Sequence, residues 1–539
     1  MKKNTPPQPK RPSKEPALAQ IASFVDLFVW LLVFKSFFLP LFIIPTGSMA
    51  QTLYGANGVN ACPNCGYEYP VGFDENYPTN LFVLQCPNCR YEQTLEQTSL
   101  PLPTPPADVS QKPGDRIVVH GWPYDIGGPF APKRWEVVVF KVPSEGQTNY
   151  IKRLLGLPGE KIELIDGDLF VAPAGEEQLR IARKPRYAQD TLWMPYFNQD
   201  YPPREPSGSI FGPSERAFFP HWAERTGEGW SGLDTREFGY KGGAAAALRF
   251  VTNPDGFQPG LVTDIYGYNG PYRYVPARAA PNEWIQNIQP DLVTDVRLST
   301  EAEVRGDGFV ELAIGKRYDR FYARLYGDGR VTLEHAKWGA EMTNDASDTE
   351  LERQTWAETR IPAPRNPTRF SIEHADYRVI VRAGDAELAS TDEQYTITPK
   401  EARIRAGASQ AIEIVAENCD VSLRHVLISR DVHYKTRQAR IARGNAVEPY
   451  PLRLFDTEYF VCGDNSPRSH DSRWWNTQRD EIGPHLQARF QAGEYHAGTV
   501  PRDQMIGRAF FVYWPGFMPL PLAGNRPLLP DAGRVRFVK

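Results

Sequence analysis

Tyr150-Ile151-Lys152-Arg153-Leu154-Leu155-Gly156-Leu157-Pro158-Gly159-Glu160 places a lysine on an apolar strand that ends in a Gly/Pro turn. Alone, such a lysine reads more readily as a surface or snorkelling residue. Two distant segments change its weight. Upstream, Ile44-Pro45-Thr46-Gly47-Ser48-Met49-Ala50-Gln51-Thr52-Leu53 presents a serine in a tight turn. Downstream, the apolar strand Tyr459-Phe460-Val461-Cys462 runs into Gly463-Asp464-Asn465-Ser466-Pro467-Arg468-Ser469-His470-Asp471-Ser472-Arg473, dense in hydrogen-bonding groups. A serine hydroxyl is a poor nucleophile until a base takes its proton, and lysine is a base only when neutral. Its ordinary pKa of about 10.4 must therefore fall through apolar burial, for which Ile151 and Leu154 offer surroundings. His120, His425, His433 and His470 come with no motif that would make a histidine triad.

In this order, with Gly114-Asp115 and the closing Gly498-Thr499-Val500-Pro501 to Tyr513-Trp514-Pro515, the segments resemble the boxes of the bacterial signal peptidase I family. The resemblance covers residues 20–55, 112–172 and 449–516. It implies a mainly β catalytic core and a membrane-bound serine endopeptidase that removes signal peptides from exported preproteins, with no catalytic cofactor. On that resemblance Ser48 is the nucleophile, Lys152 the general base, and Thr46 assists the Ser48 N–H in binding the oxyanion. Ser469 would orient the lysine amine, Arg153 is structural, and Asp464, Asp471 and Arg473 brace that wall. Substrates would carry small residues at the first and third positions before the cut. Gln51 stands where the family usually has proline, and Trp135-Glu136 where it has Gly-Asp.

The N-terminal stretch carries Lys2, Lys3, Lys10, Arg11 and Lys14 ahead of an apolar run, Ile21 to Ile44, interrupted mainly by Asp26 and Lys35. That pattern predicts a single transmembrane helix, N-terminus cytoplasmic and body extracytoplasmic, in the cell membrane. A buried core helix and a cleavable secretory signal ending at Ser48-Met49-Ala50 are the competing readings. The chain has 61 basic and 65 acidic residues, so no global field favours nucleic acid. Expected partners are preproteins and membrane lipid, with the secretion machinery as a further candidate. Trp514, Phe517, Met518 and Leu520 form a tail suited to the bilayer interface. Two other functions compete: a membrane-tethered binding module for protein or carbohydrate with a vestigial protease core, and a soluble self-cleaving Ser/Lys regulator, against which the apolar run counts.

Two insertions lengthen the chain to 539 residues. Cys62-Pro-Asn-Cys65 and Cys86-Pro-Asn-Cys89 have zinc-ribbon spacing, four thiolates for one tetrahedral ion, with a disulfide pair as the rival. Cys419 and Cys462 read as buried free thiols. In the second insertion, Val296, Leu298, Thr300, Ala302 and Val304 alternate with polar residues, and Gly327-Asp328-Gly329 marks a hairpin. Further strands at 370–372, 377–381, 412–415 and 421–428 predict a β-sandwich, jelly-roll or lectin-like. Trp222, Trp230, Trp284 and Trp338 fit a core better than a carbohydrate site. The expected layout is a cytoplasmic segment (1–20), anchor and membrane-proximal strand (21–44), nucleophile segment (45–60), zinc ribbon with Pro-rich linker (61–113), lysine part of the core (114–172), inserted sandwich (173–448) and returning core (449–539).

Overall fold

Val137 and Val139 pack with Ile44, Met49, Ile117 and Val512 on one side of a sheet, while Val138 and Phe140 pack with Leu154, Val461 and Val500 on the other. This is the two-residue period of a strand buried on both faces. The computed structural model describes residues 17–37, 39–72, 81–96, 110–204, 221–251, 262–264, 266–269, 291–337, 352–404, 411–437, 443–475, 482–514, 517–520, 526–530 and 532–538. The sheet that holds the lysine strand orders its strands Leu41–Ile43, Arg116–His120, Met505–Trp514, Val137–Lys141, Asn149–Gly156, Glu458–Cys462 and Val500–Pro501, with Arg536–Phe537 alongside Met505–Trp514. The three segments singled out in the sequence thus converge. The lysine strand pairs on one side with Val137–Lys141 and on the other with Glu458–Cys462, opposing Arg153 to Cys462. The serine turn follows the edge strand Leu41–Ile43.

A four-stranded sheet, Arg180–Ile181, Asp168–Ala172, Lys161–Ile165 and Leu452–Arg453, joins this core to the large insertion. The insertion is a sandwich of two antiparallel sheets. One includes Val296–Arg305, Cys419–Arg430, Thr368–Ala375 and Met194–Asn198; the other includes Phe309–Lys316, Asp319–Tyr326, Arg330–Lys337 and Glu413–Glu417. Val296–Arg305 buries its alternate residues, as its pattern predicts. Trp222, Phe238, Phe250, Leu298, Leu312, Phe321 and Ile428 fill the space between the sheets, each such burial contributing about 1.5–3 kcal/mol. Trp222 and Trp230 are core residues; Trp284 and Trp338 lie outside the described residues.

Where sandwich meets core, charges are buried. Lys316 Nζ lies 3.0 Å from Asp168 and 2.5 Å from Asp295, and Lys184 Nζ lies 2.5 Å from Asp376 and 2.9 Å from Asp431. Asp168, Asp295 and Asp376 gather within 4.8 Å of one another, and the two ammonium groups supply the positive charge such a cluster requires.

The N-terminal helix Ala17–Phe37 leaves Ile21, Phe24, Val25, Leu27, Phe28 and Trp30 exposed. Among the described residues no helix is long and apolar enough to cross a membrane; the side chains of residues 17–19 and 31–37 are outside that set. Residues 101–109 of the proline-rich linker are likewise outside it, and Ser110–Lys112 forms a strand beside Asn57–Ala61. The side chains of Phe517, Met518 and Leu520 are not among those described.

Candidate active site and cysteine cluster

Ser48 lies in a short 3-10 turn, Gly47–Met49, directly after the edge strand. Its Oγ is 2.5 Å from Lys152 Nζ across 104 residues of sequence. Lys152 is 4% exposed. Burial pulls its amine down to about 8, against the opposing pull of Asp471. The nearest carboxylates are engaged elsewhere. Arg153 grips Asp464 through Nε and Nη2, both at 2.7 Å, and donates Nη1 to the Trp135 carbonyl at 2.6 Å. Thr52 Oγ1 also donates to Asp464, at 2.5 Å. Arg473 grips Asp471 at 2.8 and 2.7 Å, and Gly463 N–H donates to the same carboxylate at 2.9 Å. Asp471 is held below its usual range, the guanidinium outweighing the cost of burial.

These pairs fix the loop that carries Ser469. A Cβ on Gly463 would strike both Ser469 Oγ and the Ser48 carbonyl, so glycine is required for the loop to close on the serine turn. Ser469 is buried, and its hydroxyl helps hold the Asp471 carboxylate below its usual range. Thr46 is exposed at the N-cap position and makes no side-chain cap bond. Trp135 has φ 73°, which accounts for the small residue that the resemblance leads one to expect there. Asn465, which no motif in the sequence marks, also holds the serine turn. Its N–H donates to the Ser48 carbonyl at 3.0 Å and its Nδ2 to the Gly47 carbonyl at 2.9 Å. Its place in the Gly463-Asp464-Asn465 run is the one signal the sequence offers.

The four paired cysteines form two matching knuckles. Gly66 N–H bonds to the Cys62 carbonyl and Arg90 N–H to that of Cys86, at 2.8 and 3.0 Å. Gly66 and Arg90 both take positive φ, at 75° and 62°. The sulfurs of Cys62 and Cys89 lie 3.6 Å apart and those of Cys65 and Cys86 3.7 Å. No disulfide joins any of the four. Zinc–sulfur bonds of about 2.3 Å in a tetrahedron set sulfurs about 3.8 Å apart, whereas a disulfide needs about 2.05 Å. The donor set is therefore compatible with structural zinc. Cys419 and Cys462 are buried free thiols.

The family model for signal peptidase, peptidase S26, matches residues 97–210 and 381–514. Those segments hold Lys152, Arg153, Asp464, Ser469, Asp471 and Arg473; Ser48 precedes them. Among curated relatives, the chain is 46% identical over 59 residues to signal peptidase I of Buchnera aphidicola subsp. Baizongia pistaciae, covering 9% of this chain and 19% of that one. It is 26% identical over 149 residues to signal peptidase I of Rickettsia bellii, covering 28% and 37%. The chain thus spans well under half the length of these relatives. The matches support a peptidase of the S26 signal-peptidase type. Solved structures that align include a carbohydrate-binding module CBM66 from Bacillus subtilis, with 7% identity, 39% of this chain and 94% of that chain covered, and TM-score 0.23. A Bacillus licheniformis beta-glucanase aligns with 8% identity, 39% and 92% coverage, and TM-score 0.21. Likeness that slight carries no conclusion about fold or ligand.

Proposed function

We propose that the chain is a serine endopeptidase that cuts signal peptides from exported preproteins through Ser48 and Lys152. The observation that carries this reading is a buried lysine amine 2.5 Å from a serine hydroxyl, its pKa lowered to about 8. The neutral amine takes the Ser48 proton as Oγ attacks the scissile carbonyl, then gives it to the leaving amine. Water, deprotonated by the same amine, releases the acyl group. The Ser48 N–H, in the first turn of its helix and without a partner inside it, receives the oxyanion, with the Thr46 hydroxyl beside it. Ser469 orients the Lys152 amine; Arg153 and Arg473 hold the Asp464 and Asp471 carboxylates off it. Small residues before the cut follow from similarity to signal peptidase I, as does contact with the secretion machinery.

The apolar run beginning in the Ala17–Phe37 helix anchors the chain in the cell membrane, since exposed Phe24, Leu27 and Trp30 have lipid as their natural cover. The N-terminus is then cytoplasmic and the catalytic domain extracytoplasmic. Zinc held by Cys62, Cys65, Cys86 and Cys89 cross-links the two knuckles and takes no part in the chemistry. In detergent, a preprotein with an Ala-X-Ala site is expected to be cut by the unmodified protein and by neither Ser48→Ala nor Lys152→Ala. Equal inertness of all three on several preproteins would hand the lead to the binding-module reading. One equivalent of zinc, lost in Cys86→Ser, is expected by elemental analysis, and disulfides in its place would reverse that assignment.

A further inference from the structure

The large insertion reaches into the nucleophile turn. Its short 3-10 segment Gly267–Asn269 lies against Gly47, next to the serine in the chain. The side-chain amides of Asn269 and Asn465 bond reciprocally, at 2.9 and 2.7 Å, and both residues are buried, at 6 and 2% exposure. Arg468 Nη2 donates to the Asn269 carbonyl at 2.7 Å. Asn465 in turn holds the carbonyls of Gly47 and Ser48, one on either side of the serine Cα. A Cβ on Gly47 would overlap the Tyr268 ring, which stacks on Tyr54 with centroids 5.3 Å apart. Behind the segment, a Cβ on Gly267 would press on Tyr69 and Pro87 of the cysteine module. The turn is a wedge between the knuckles and the nucleophile.

Asn465 can spend its Nδ2 on Gly47 only in one rotamer, and in that rotamer its Oδ1 is satisfied by Asn269. Without that partner a buried amide oxygen is left unpaired, and a rotamer change that repairs it releases Gly47. From this geometry we infer that Asn269 is a positioning residue for Ser48: the insertion completes the catalytic site rather than merely decorating it. The inference rests on the Ser48/Lys152 reading. A misplacement of about 1 Å costs on the order of 100-fold in rate.

The test is preprotein cleavage by the full chain in detergent, well below its melting temperature. Asn269→Ala is expected to lower kcat about 100-fold with KM within about threefold, since the change displaces Ser48 and leaves the rest of the chain in place. Asn269→Asp keeps an acceptor for Asn465 Nδ2 but removes the donor to its Oδ1, so it should also lose kcat with KM within about threefold, and Asn269→Ala combined with Asn465→Ala should be no worse than Asn465→Ala alone. Arg330→Ala, on a distant hairpin of the sandwich, should match the unmodified protein. If the unmodified protein cuts nothing, the Ser48/Lys152 reading falls. If it cuts and Asn269→Ala keeps its kcat within twofold, the positioning role alone is overturned. Should Asn269→Ala fail to fold, Asn269→Asp decides: kcat equal to that of the unmodified protein overturns the role.

Discussion

Lys152 and Lys316 are both buried lysines, 4 and 1% exposed, and they meet opposite fates. Lys316 sits between Asp168 and Asp295 and is held protonated, well above the ordinary lysine range, because those carboxylates outweigh burial. Lys152 has a serine hydroxyl at 2.5 Å and the Tyr150 ring at 5.8 Å. Among the described residues no carboxylate stands within ion-pair reach of it, because Asp464 belongs to Arg153 and Asp471 to Arg473. Burial then dominates and the amine drifts toward neutrality. The same side chain becomes a cross-link or a base according to who claims the nearby acids.

The largest effect should fall on activity at Lys152 and on stability at Lys316. Lys152→Met is expected to lower kcat by about 10³-fold or more while leaving the melting temperature unchanged or higher, since a costly buried amine is removed; cleavage kinetics alongside calorimetry would settle it. Lys316→Met should reverse the pattern, costing about 3–5 kcal/mol by taking the cation from Asp168 and leaving Asp295 only His374 and the Asp376 N–H, read from urea unfolding. If both variants lose stability alike, the contrast between the two lysines is broken.

pH separates the two more finely. Lys152 must be neutral to act, so kcat/KM should fall about tenfold per pH unit below about 8 and level off above it. Its pKa is depressed on folding, so the native state binds fewer protons than the unfolded one between about 8 and the ordinary lysine value. Stability from this group therefore rises with pH through that window, whereas the raised Lys316 stabilises below the ordinary lysine value and loses its contribution as pH climbs through its own. A pH–rate profile flat from 6 to 10 would contradict the assignment of Lys152 as base. The smallest expected change is at Asp431, pushed up to about 6 by burial. Asp431→Asn should cost only about 1–2 kcal/mol, because Lys184 keeps Asp376.

This contrast shows what the sequence could carry. Lys152 was legible through the apolar strand and Gly/Pro turn around it, and Ser48 and Ser469 through their order along the chain. Val296–Arg305 was legible because one face of its strand is buried, which imposes strict alternation. The charge network was not: Asp168, Lys184, Asp295, Lys316 and Asp431 stand far apart in sequence, and nothing local marks a lysine that two sheets will bury. Asn269 was equally silent. Its role depends on a partner 196 positions away, and an asparagine in an irregular stretch carries no periodicity to read.

The bond from Asn465 to Gly47 spans 418 positions. A ribosome adding about 5–20 residues per second makes the nucleophile turn roughly 20–80 s before the loop that shapes it. Throughout that interval the emerging chain owns a serine and then a lysine, but no enclosed site in which to use them. On the proposed Ser48/Lys152 reading, the long detour through the sandwich leaves the site incomplete until synthesis is nearly done.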